Sequence, residues 1–271
     1  MGITVKFCSF LLAASVLTST LTAATCESLA GLKLPDTSIT LVERVPAGTF
    51  IPSQPFPAAG PRGGRGVVAT NALPDFCRVA AVIKPSTDSE IKVEVWLPGS
   101  GWNGKFMGVG NGGFGGSINY PYMSEPLSLH DATASTDTGH EGAGLDTSFA
   151  LGHPERLIDF ANRAVHEMTA KAKLIIEAYY GKPPSFSYWN GCSLGGAQGL
   201  VEARRFPADY NAVVAGAASN FLTHLTAAAL WRHRILEQNP GGLVPPSKLA
   251  LLHKAVMEAC GCTRWRKGWS P

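Results

Sequence analysis

A serine flanked by glycines is the residue of this sequence best suited to nucleophilic chemistry. Gly191-Cys192-Ser193-Leu194-Gly195 fits the pattern G-x-S-x-G, with a strand-like stretch before it and a helix-like stretch after it. Glycines suit a sharp turn between strand and helix, because such a turn strains the backbone and leaves little room for side chains. The pattern predicts that Ser193 is a nucleophile, and a structural turn without chemistry is the alternative.

A serine nucleophile also needs amide groups that stabilise the oxyanion it creates. In a turn of this kind the first amide is the N–H of Leu194, the residue after the serine. A second amide usually comes from a glycine-rich turn after an early strand, and Asn111-Gly112-Gly113-Phe114 directly follows the strand-like KFMGVG. We therefore expect Gly112 or Gly113 to supply it, and a flexible glycine loop without a role is the alternative.

The acid and the general base that Ser193 requires cannot be assigned from the sequence. In folds with this turn, an acid and then a histidine follow the serine along the chain. Asp209 is the one aspartate after Ser193, and it is expected to order the turn before a strand-like stretch. The histidines after Ser193 lie in helical surroundings and are expected at a helix surface; they are His224, His233 and His253. His130 and Asp131 precede the serine, so no catalytic role is expected for them.

The elements that must position these residues alternate along the chain. Apolar and polar residues alternate over 91–97, as in a half-buried strand, and 39–50 and 76–85 are also rich in strand-forming residues. Apolar residues recur at steps of three and four from Pro154, which predicts a long helix that ends at Gly181. Further strands are expected at 185–190 and 211–218, and helices over 221–260. This order predicts an α/β fold, a mostly parallel sheet with helices on both faces and antiparallel pairing at its start.

The composition indicates a globular protein, and the amino-terminal segment indicates an exported one. The chain has 271 residues, 45% of them hydrophobic and 16% charged, with a net charge of +3 spread along the sequence. No basic field suggests a nucleic-acid partner or a membrane surface. Residues 1–24 resemble a signal peptide cleaved after Ala24, with a membrane anchor as the alternative. We therefore expect a secreted or periplasmic protein that has no membrane association after cleavage.

Removal of residues 1–24 would leave an odd number of cysteines, namely Cys26, Cys77, Cys192, Cys260 and Cys262. In an oxidising compartment, an odd count indicates a free thiol, an intermolecular bridge or a missing partner. The cysteine and histidine spacings match no zinc pattern, so no metal site is expected.

Several stretches resemble, in matching order, the tannase/feruloyl esterase family. They include FCRVAAVIKPS, WNGKFMGVGNGGFGGSI, ASTDTGH, YWNGCSLGGAQG and EARRFPADY. The resemblance covers nearly everything from Cys26 to Cys260. It implies an α/β-hydrolase core and a secreted or periplasmic serine esterase. A small ester of ferulic, gallic or a related aromatic acid is the implied substrate. The oligomeric state is not indicated.

The same resemblance implies roles for the cysteines and for groups outside the chain. It pairs Cys26 with Cys77, and it pairs Cys192 with a cysteine beside the catalytic histidine. The partners of Cys192 and Cys260 are then missing. In the family, a large lid contributes to the pocket and carries a calcium site. The resemblance places this lid beyond residue 271, so we expect no cofactor in this chain.

The end of the sequence departs from the resemblance. We expect residues 25–260 to be the N-terminal part of an α/β-hydrolase catalytic domain, incomplete at the C-terminus. Residues 261–271 are expected to be an aberrant tail left by a frameshift or by a misannotated gene end. The triad acid and histidine would then lie beyond residue 271, and we expect little or no ester turnover. His130, Asp131 and Thr133 stand where the family resemblance implies a small and apolar strand, which indicates a looser element or a further defect.

Overall fold

The computed structural model describes residues 24–52, 69–142 and 144–260. The predicted signal peptide up to residue 23, a Pro/Gly-rich segment over 53–68 and the tail over 261–271 lie outside these residues. The chain divides into two units, one ending at Ala218 and the other beginning at Ser219. The sheet and Ser193 belong to the first unit.

Seven strands form one sheet in the order β1-β2-β3-β5-β4-β6-β7. In chain order they are β1 Thr37–Val45, β2 Phe76–Ile83, β3 Ile91–Pro98, β4 Lys105–Val109, β5 Ala132–Thr136, β6 Phe186–Cys192 and β7 Ala212–Gly216. β1, β2, β3 and β5 pair antiparallel in succession, and β5, β4, β6 and β7 pair parallel. Five of the seven strands therefore run in one direction, as the sequence predicts.

The helices of the first unit lie on both faces of the sheet. They are α1 Tyr120–Ser128, α2 Pro154–Ile158, α3 Ala164–Tyr180 and α4 Leu194–Arg205. Buried side chains of α3 join one apolar core with β2, β3 and β4. Side chains of α1 join a second core on the other face, with Trp96 and Phe76. The α/β class predicted from the sequence is confirmed.

The strand over 91–97 is buried on both faces rather than on one. Ile91, Val93, Val95 and Leu97 lie in the first core. On the other face, Glu94 is 5% exposed and accepts hydrogen bonds from the Arg78 Nε and Nη2 atoms at 2.9 and 2.7 Å. The face is covered because α1 packs there, and the sequence does not predict this helix since Pro126 lies inside it.

Two other predicted boundaries shift for local reasons. The first strand ends at Val45 rather than at residue 50, because Pro46 has no N–H and Gly48 turns the chain at φ 71°. The helix predicted from Pro154 contains one π-helical turn, Asp159–Arg163, between α2 and α3. It ends as predicted at Gly181, whose φ of 70° forms a left-handed cap.

The polar residues around β5 do not loosen it, so that expectation is wrong. All five residues of β5 are buried. The Thr133 Oγ1 atom donates a hydrogen bond to the Met107 main-chain oxygen at 2.9 Å, and Asp131 accepts one from Asn103 at 2.6 Å. Pairing removes the cost of burying these groups.

The second unit contains α5 Leu222–Gln238 and α6 Pro246–Cys260. No side chain described in either helix is buried, and His224, His233 and His253 are all exposed. The prediction of surface histidines is confirmed. In the part of the chain that the structure describes, no helix combines the length and apolarity needed to cross a membrane.

Candidate active site

Ser193 sits at a sharp turn between β6, an interior strand of the sheet, and α4. Its φ of 60° and ψ of −118° lie outside the regions that L-residues favour. The residue is exposed, and its N–H donates to the Gly216 main-chain oxygen at 3.0 Å. A strained, exposed serine at the carboxyl end of a central parallel strand is the geometry of a nucleophile elbow.

Glycines on both sides of Ser193 allow strand and helix to approach. A Cβ atom added at Gly191 would lie 2.2 Å from the Gly195 main-chain oxygen. One added at Gly196 would lie 2.4 Å from the Gly216 main-chain oxygen. Because real Cβ atoms do not come so close to backbone oxygens, both positions require glycine, as the pattern around Ser193 predicts.

A cavity of about 420 Å³ opens beside Ser193. Its wall combines Cys192 and Ser193 with the glycine-rich loop after β4 and the start of α1, including Ile118, Pro121 and Tyr122. Gly112 lines this cavity, whereas Gly113 is not among its lining residues. A Cβ added at Gly113 would meet the Gly144 main-chain oxygen at 2.0 Å, so Gly113 packs against Gly144.

Two amides next to Ser193 are available as hydrogen-bond donors. Neither the Leu194 N–H nor the Gly112 N–H donates to a carbonyl of the described residues. Leu194 is the first residue of α4, where the helix dipole also favours negative charge. Of the two glycines predicted for the oxyanion, the cavity favours Gly112.

The sequence did not reveal the polar pair that joins the glycine-rich loop to α4. The Asn111 N–H donates to Gln198 Oε1 at 3.0 Å, and Gln198 Nε2 donates to Asn111 Oδ1 at 3.1 Å. The Asn111 main-chain oxygen in turn accepts from the Gly195 N–H at 2.8 Å. Both side chains are buried, and they fix the loop next to Ser193. The two residues are 87 positions apart in the sequence, so no local pattern predicts that they pair.

Asp137, directly after β5, holds the same glycine-rich loop through a hydrogen bond. Its main-chain oxygen accepts from the Gly116 N–H at 2.9 Å. Its side-chain Oδ1 accepts from the main-chain N–H groups of Lys92 and Gly139 at 3.0 and 2.8 Å. Burial outweighs these hydrogen bonds and raises the pKa of Asp137 to about 7.

No acid or base stands beside Ser193 among the described residues. The residues that line its cavity include no histidine, aspartate or glutamate. Asp209 precedes β7 and therefore lies at the amino ends of the parallel strands, where its Oδ2 is 2.6 Å from His166 Nδ1. His130 and Asp131 precede β5 and lie at the same amino ends, whereas Ser193 lies at the carboxyl ends. The structure thus agrees with the prediction that none of these groups serves Ser193.

The structure contains one of the cysteine pairs that the resemblance implies. Cys26 and Cys77 form a disulfide with their Cα atoms 5.6 Å apart. Cys192 is a free, exposed thiol directly before Ser193. The side chain of Cys260 lies outside the described part of the chain, as does Cys262, so their pairing stays a prediction.

A sheet with helices on both faces, and a serine in an elbow at the carboxyl ends of its parallel strands, define the class of α/β-hydrolases. Within this class, the chain belongs to the tannase and feruloyl esterase family, whose sequence model matches residues 77–264. The family predicted from the motifs is confirmed.

Relatives and solved structures support this membership. An uncharacterised esterase of Xanthomonas campestris pv. campestris is 35% identical over 246 residues, 91% of this chain and 41% of that protein. A probable feruloyl esterase B-1 of Aspergillus terreus is 35% identical over 69% of this chain and 35% of its own length. The crystal structure of feruloyl esterase B from Aspergillus oryzae matches with a TM-score of 0.62 and 34% identity, over 72% of this chain and 36% of that one. The chain therefore spans less than half the length of these relatives.

Proposed function

We propose that Ser193 is the nucleophile of a carboxylic-ester hydrolase that acts on esters of phenolic acids, such as feruloyl and galloyl esters. The observation that carries this proposal is the strained backbone of Ser193 at the mouth of a cavity. Family membership and the similarity to feruloyl esterases support the class of substrate.

The reaction we propose is acyl transfer in two steps. The Ser193 Oγ atom adds to the ester carbonyl carbon while its proton passes to a general base, and the Leu194 and Gly112 amides hydrogen-bond to the oxyanion. Collapse of the intermediate expels the alcohol, which takes up the proton, and leaves an ester on Ser193. Water then cleaves that ester, releasing the acid and restoring the hydroxyl.

The cavity beside Ser193 has room and apolar surface for an aromatic acyl group. At about 420 Å³ it is the size of a small-ligand site. Ile118, Pro121 and Tyr122 supply apolar surface, while Ser117 and Asn119 supply polar groups near it. Other esters and binding without chemistry are the alternatives that an experiment must separate.

We also propose that the protein is exported. The Cys26–Cys77 disulfide supports this, because such bonds persist in oxidising compartments. The signal peptide predicted at residues 1–24 supplies the export route, with the mature chain beginning at Thr25. Amino-terminal sequencing of the exported protein tests the cleavage site, and detection of an uncleaved chain in the membrane fraction would contradict it.

Acylation of Ser193 tests the nucleophile without requiring turnover. The chain is incubated with p-nitrophenyl ferulate, and released nitrophenol is compared with the acylated peptide found by mass spectrometry. We expect slow, stoichiometric acylation of Ser193, because no histidine or carboxylate of the described residues lines its cavity, while the elbow and the oxyanion donors retain part of the rate. We expect little steady-state hydrolysis of methyl ferulate, methyl gallate or p-nitrophenyl acetate.

Four proteins make that test decisive, since the exposed Cys192 thiol is a competing nucleophile. They are the unmodified chain, Ser193→Ala, Cys192→Ala and the double variant. Acylation that persists in Cys192→Ala and disappears in Ser193→Ala supports the proposal. Equal acylation of the unmodified chain and Ser193→Ala would overturn it, and ferulate binding without acylation would favour a binding protein.

A further inference from the structure

A second group of side chains that could bind a ligand lies at the amino ends of the parallel strands, whereas Ser193 lies at their carboxyl ends. His166 of α3, Glu202 of α4 and Asp209 in the turn before β7 each offer one ligand atom, and these atoms all lie within 4.8 Å of one another. They come from three separate elements, so their spacing in the sequence does not predict the cluster. An imidazole and two carboxylates thus converge on one point.

Glu202 lacks a partner at this point. The residue is 1% exposed, and neither of its carboxylate oxygens has a hydrogen-bond partner among the described residues. Burying an unpaired carboxylate is unfavourable, and the neighbouring carboxylate of Asp209 adds like-charge repulsion. A bound cation would satisfy Glu202 and remove that repulsion.

Lys173 of α3 is the basic residue beside the cluster, and it does not satisfy Glu202. Its Nζ atom donates a hydrogen bond to the main-chain oxygen of Asp209. Within the described chain it forms no salt bridge with the carboxylate of Glu202 or Asp209. His166 pairs with the Asp209 carboxylate at 2.6 Å, whereas no cationic side chain of the described residues forms a salt bridge with Glu202.

We propose that His166, Glu202 and Asp209 bind a divalent transition-metal ion, with zinc as the first choice. Imidazole nitrogen together with carboxylate oxygen suits zinc, whereas calcium and magnesium prefer oxygen ligands alone. The three ligand atoms lie no more than 4.8 Å apart, and His166 Nδ1 is already 2.6 Å from Asp209 Oδ2. Zinc bonds to such atoms measure about 2.0–2.2 Å, so small shifts of these side chains bring all three within reach of one ion.

The surroundings of the cluster suit an ion that enters from solvent. The His166 ring stacks on Phe206, with centroids 3.8 Å apart and an interplanar angle of 10°, which fixes the plane of the imidazole. The His166 side chain is 33% exposed, which leaves room for a water ligand. A cavity of about 260 Å³ lies beside the cluster, and its lining residues include Glu202, Phe206 and Tyr210. The ion would join α3, α4 and the turn before β7.

Metal titration of the full chain, without a histidine tag, tests this site independently of any esterase activity. The protein is freed of metal with a chelator, and zinc chloride is added while heat release and thermal unfolding are measured. Magnesium chloride serves as the oxygen-preferring comparison. We expect one zinc ion per chain, an unfolding temperature raised by several degrees, and no such rise with magnesium.

Matched variants decide whether the zinc binds at this cluster. His166→Ala and Glu202→Gln should each weaken zinc binding at least tenfold, while His253→Ala and Glu177→Gln, which alter exposed residues elsewhere, should not. Glu202→Gln keeps the shape of the side chain and decides the matter if His166→Ala does not fold. Unchanged zinc affinity in Glu202→Gln, or no zinc response in the unmodified chain, would overturn the proposal; the carboxyl would then hold a proton instead.

Discussion

Ser193 occupies a backbone conformation that costs stability, and this cost can be measured. At φ 60° and ψ −118° its Cβ atom crowds the main chain, whereas glycine adopts this region freely. We predict that Ser193→Gly is more stable to urea than Ser193→Ala by about 1 kcal/mol. In the same strand, Ser187→Gly should be less stable than Ser187→Ala. A Ser193→Gly protein no more stable than Ser193→Ala would contradict the strain.

A buried carboxylate gives the fold a dependence on pH. Burial raises the pKa of Asp137 in the folded state to about 7, against 3.8 for an ordinary aspartate, while nearby Lys92 and Glu141 act in opposite directions. Between these two values the folded state holds a proton that the unfolded state has lost. Stability should therefore fall as the pH rises from 4 to 8, by up to about 4 kcal/mol.

Asp137→Asn isolates that effect, because the amide oxygen can still accept the hydrogen bonds from Lys92 and Gly139. Urea unfolding at pH 5 and pH 8 should show a smaller loss of stability in Asp137→Asn than in the unmodified chain. Asp36→Asn, at an exposed position, should behave like the unmodified chain. Identical pH profiles for Asp137→Asn and the unmodified chain would contradict the prediction.

Between elements, the Asn111–Gln198 pair holds the glycine-rich loop against α4. Gln198→Leu keeps most of the volume but leaves the Asn111 N–H and side-chain oxygen buried without partners. We predict a loss of about 2 kcal/mol in the free energy of unfolding and slower acylation of Ser193. Gln238→Leu, at the exposed end of α5, is the matched control. A loss no greater in Gln198→Leu than in the control would show that the pair does not hold the loop.

The Cys26–Cys77 disulfide fastens the amino-terminal 3-10 turn, Cys26–Gly31, to β2. It closes a loop over a sequence separation of 51 residues. We predict that the Cys26→Ser, Cys77→Ser double variant loses about 3–4 kcal/mol of stability to urea, since its unfolded chain regains conformational freedom. Cys192→Ser should lose little because that thiol is free and exposed. Equal losses in the two proteins would rule out a stabilising role for the disulfide.

Sequence patterns predict elements well and contacts between distant elements poorly. The alternation over β3, the three-and-four spacing up to Gly181 and the glycines around Ser193 are local, so the sequence displays them. The helix α1 is not predicted because Pro126 lies inside it. The pair Asn111–Gln198 and the group His166, Glu202 and Asp209 arise only when the sheet brings remote segments together. Residues of that kind, which position other groups or bind ligands, are recognised only once the fold is known.

In the whole molecule, the two units differ sharply in how much apolar surface they bury. The first unit has two apolar cores, while α5 and α6 expose large side chains such as Leu230, Trp231 and Leu251, each about two-thirds exposed or slightly more. Buried apolar contacts are what keep a segment folded against local opening. Residues 219–260 should therefore open far more often than the sheet.

Limited proteolysis measures this difference directly. We predict that trypsin, at low ratios to the chain, cuts α5 and α6 at Arg232, Arg234, Lys248 or Lys254 before it cuts the described residues up to Ala218. Thermolysin, which cleaves at apolar residues, should cut the same two helices, because exposure rather than sequence preference sets the order. Mass spectrometry of early time points identifies the cuts, and the surviving fragment should retain the Cys26–Cys77 disulfide. Early cleavage at Lys92 or Lys105, in strands of the sheet, would show instead that the sheet-containing unit is the less stable one.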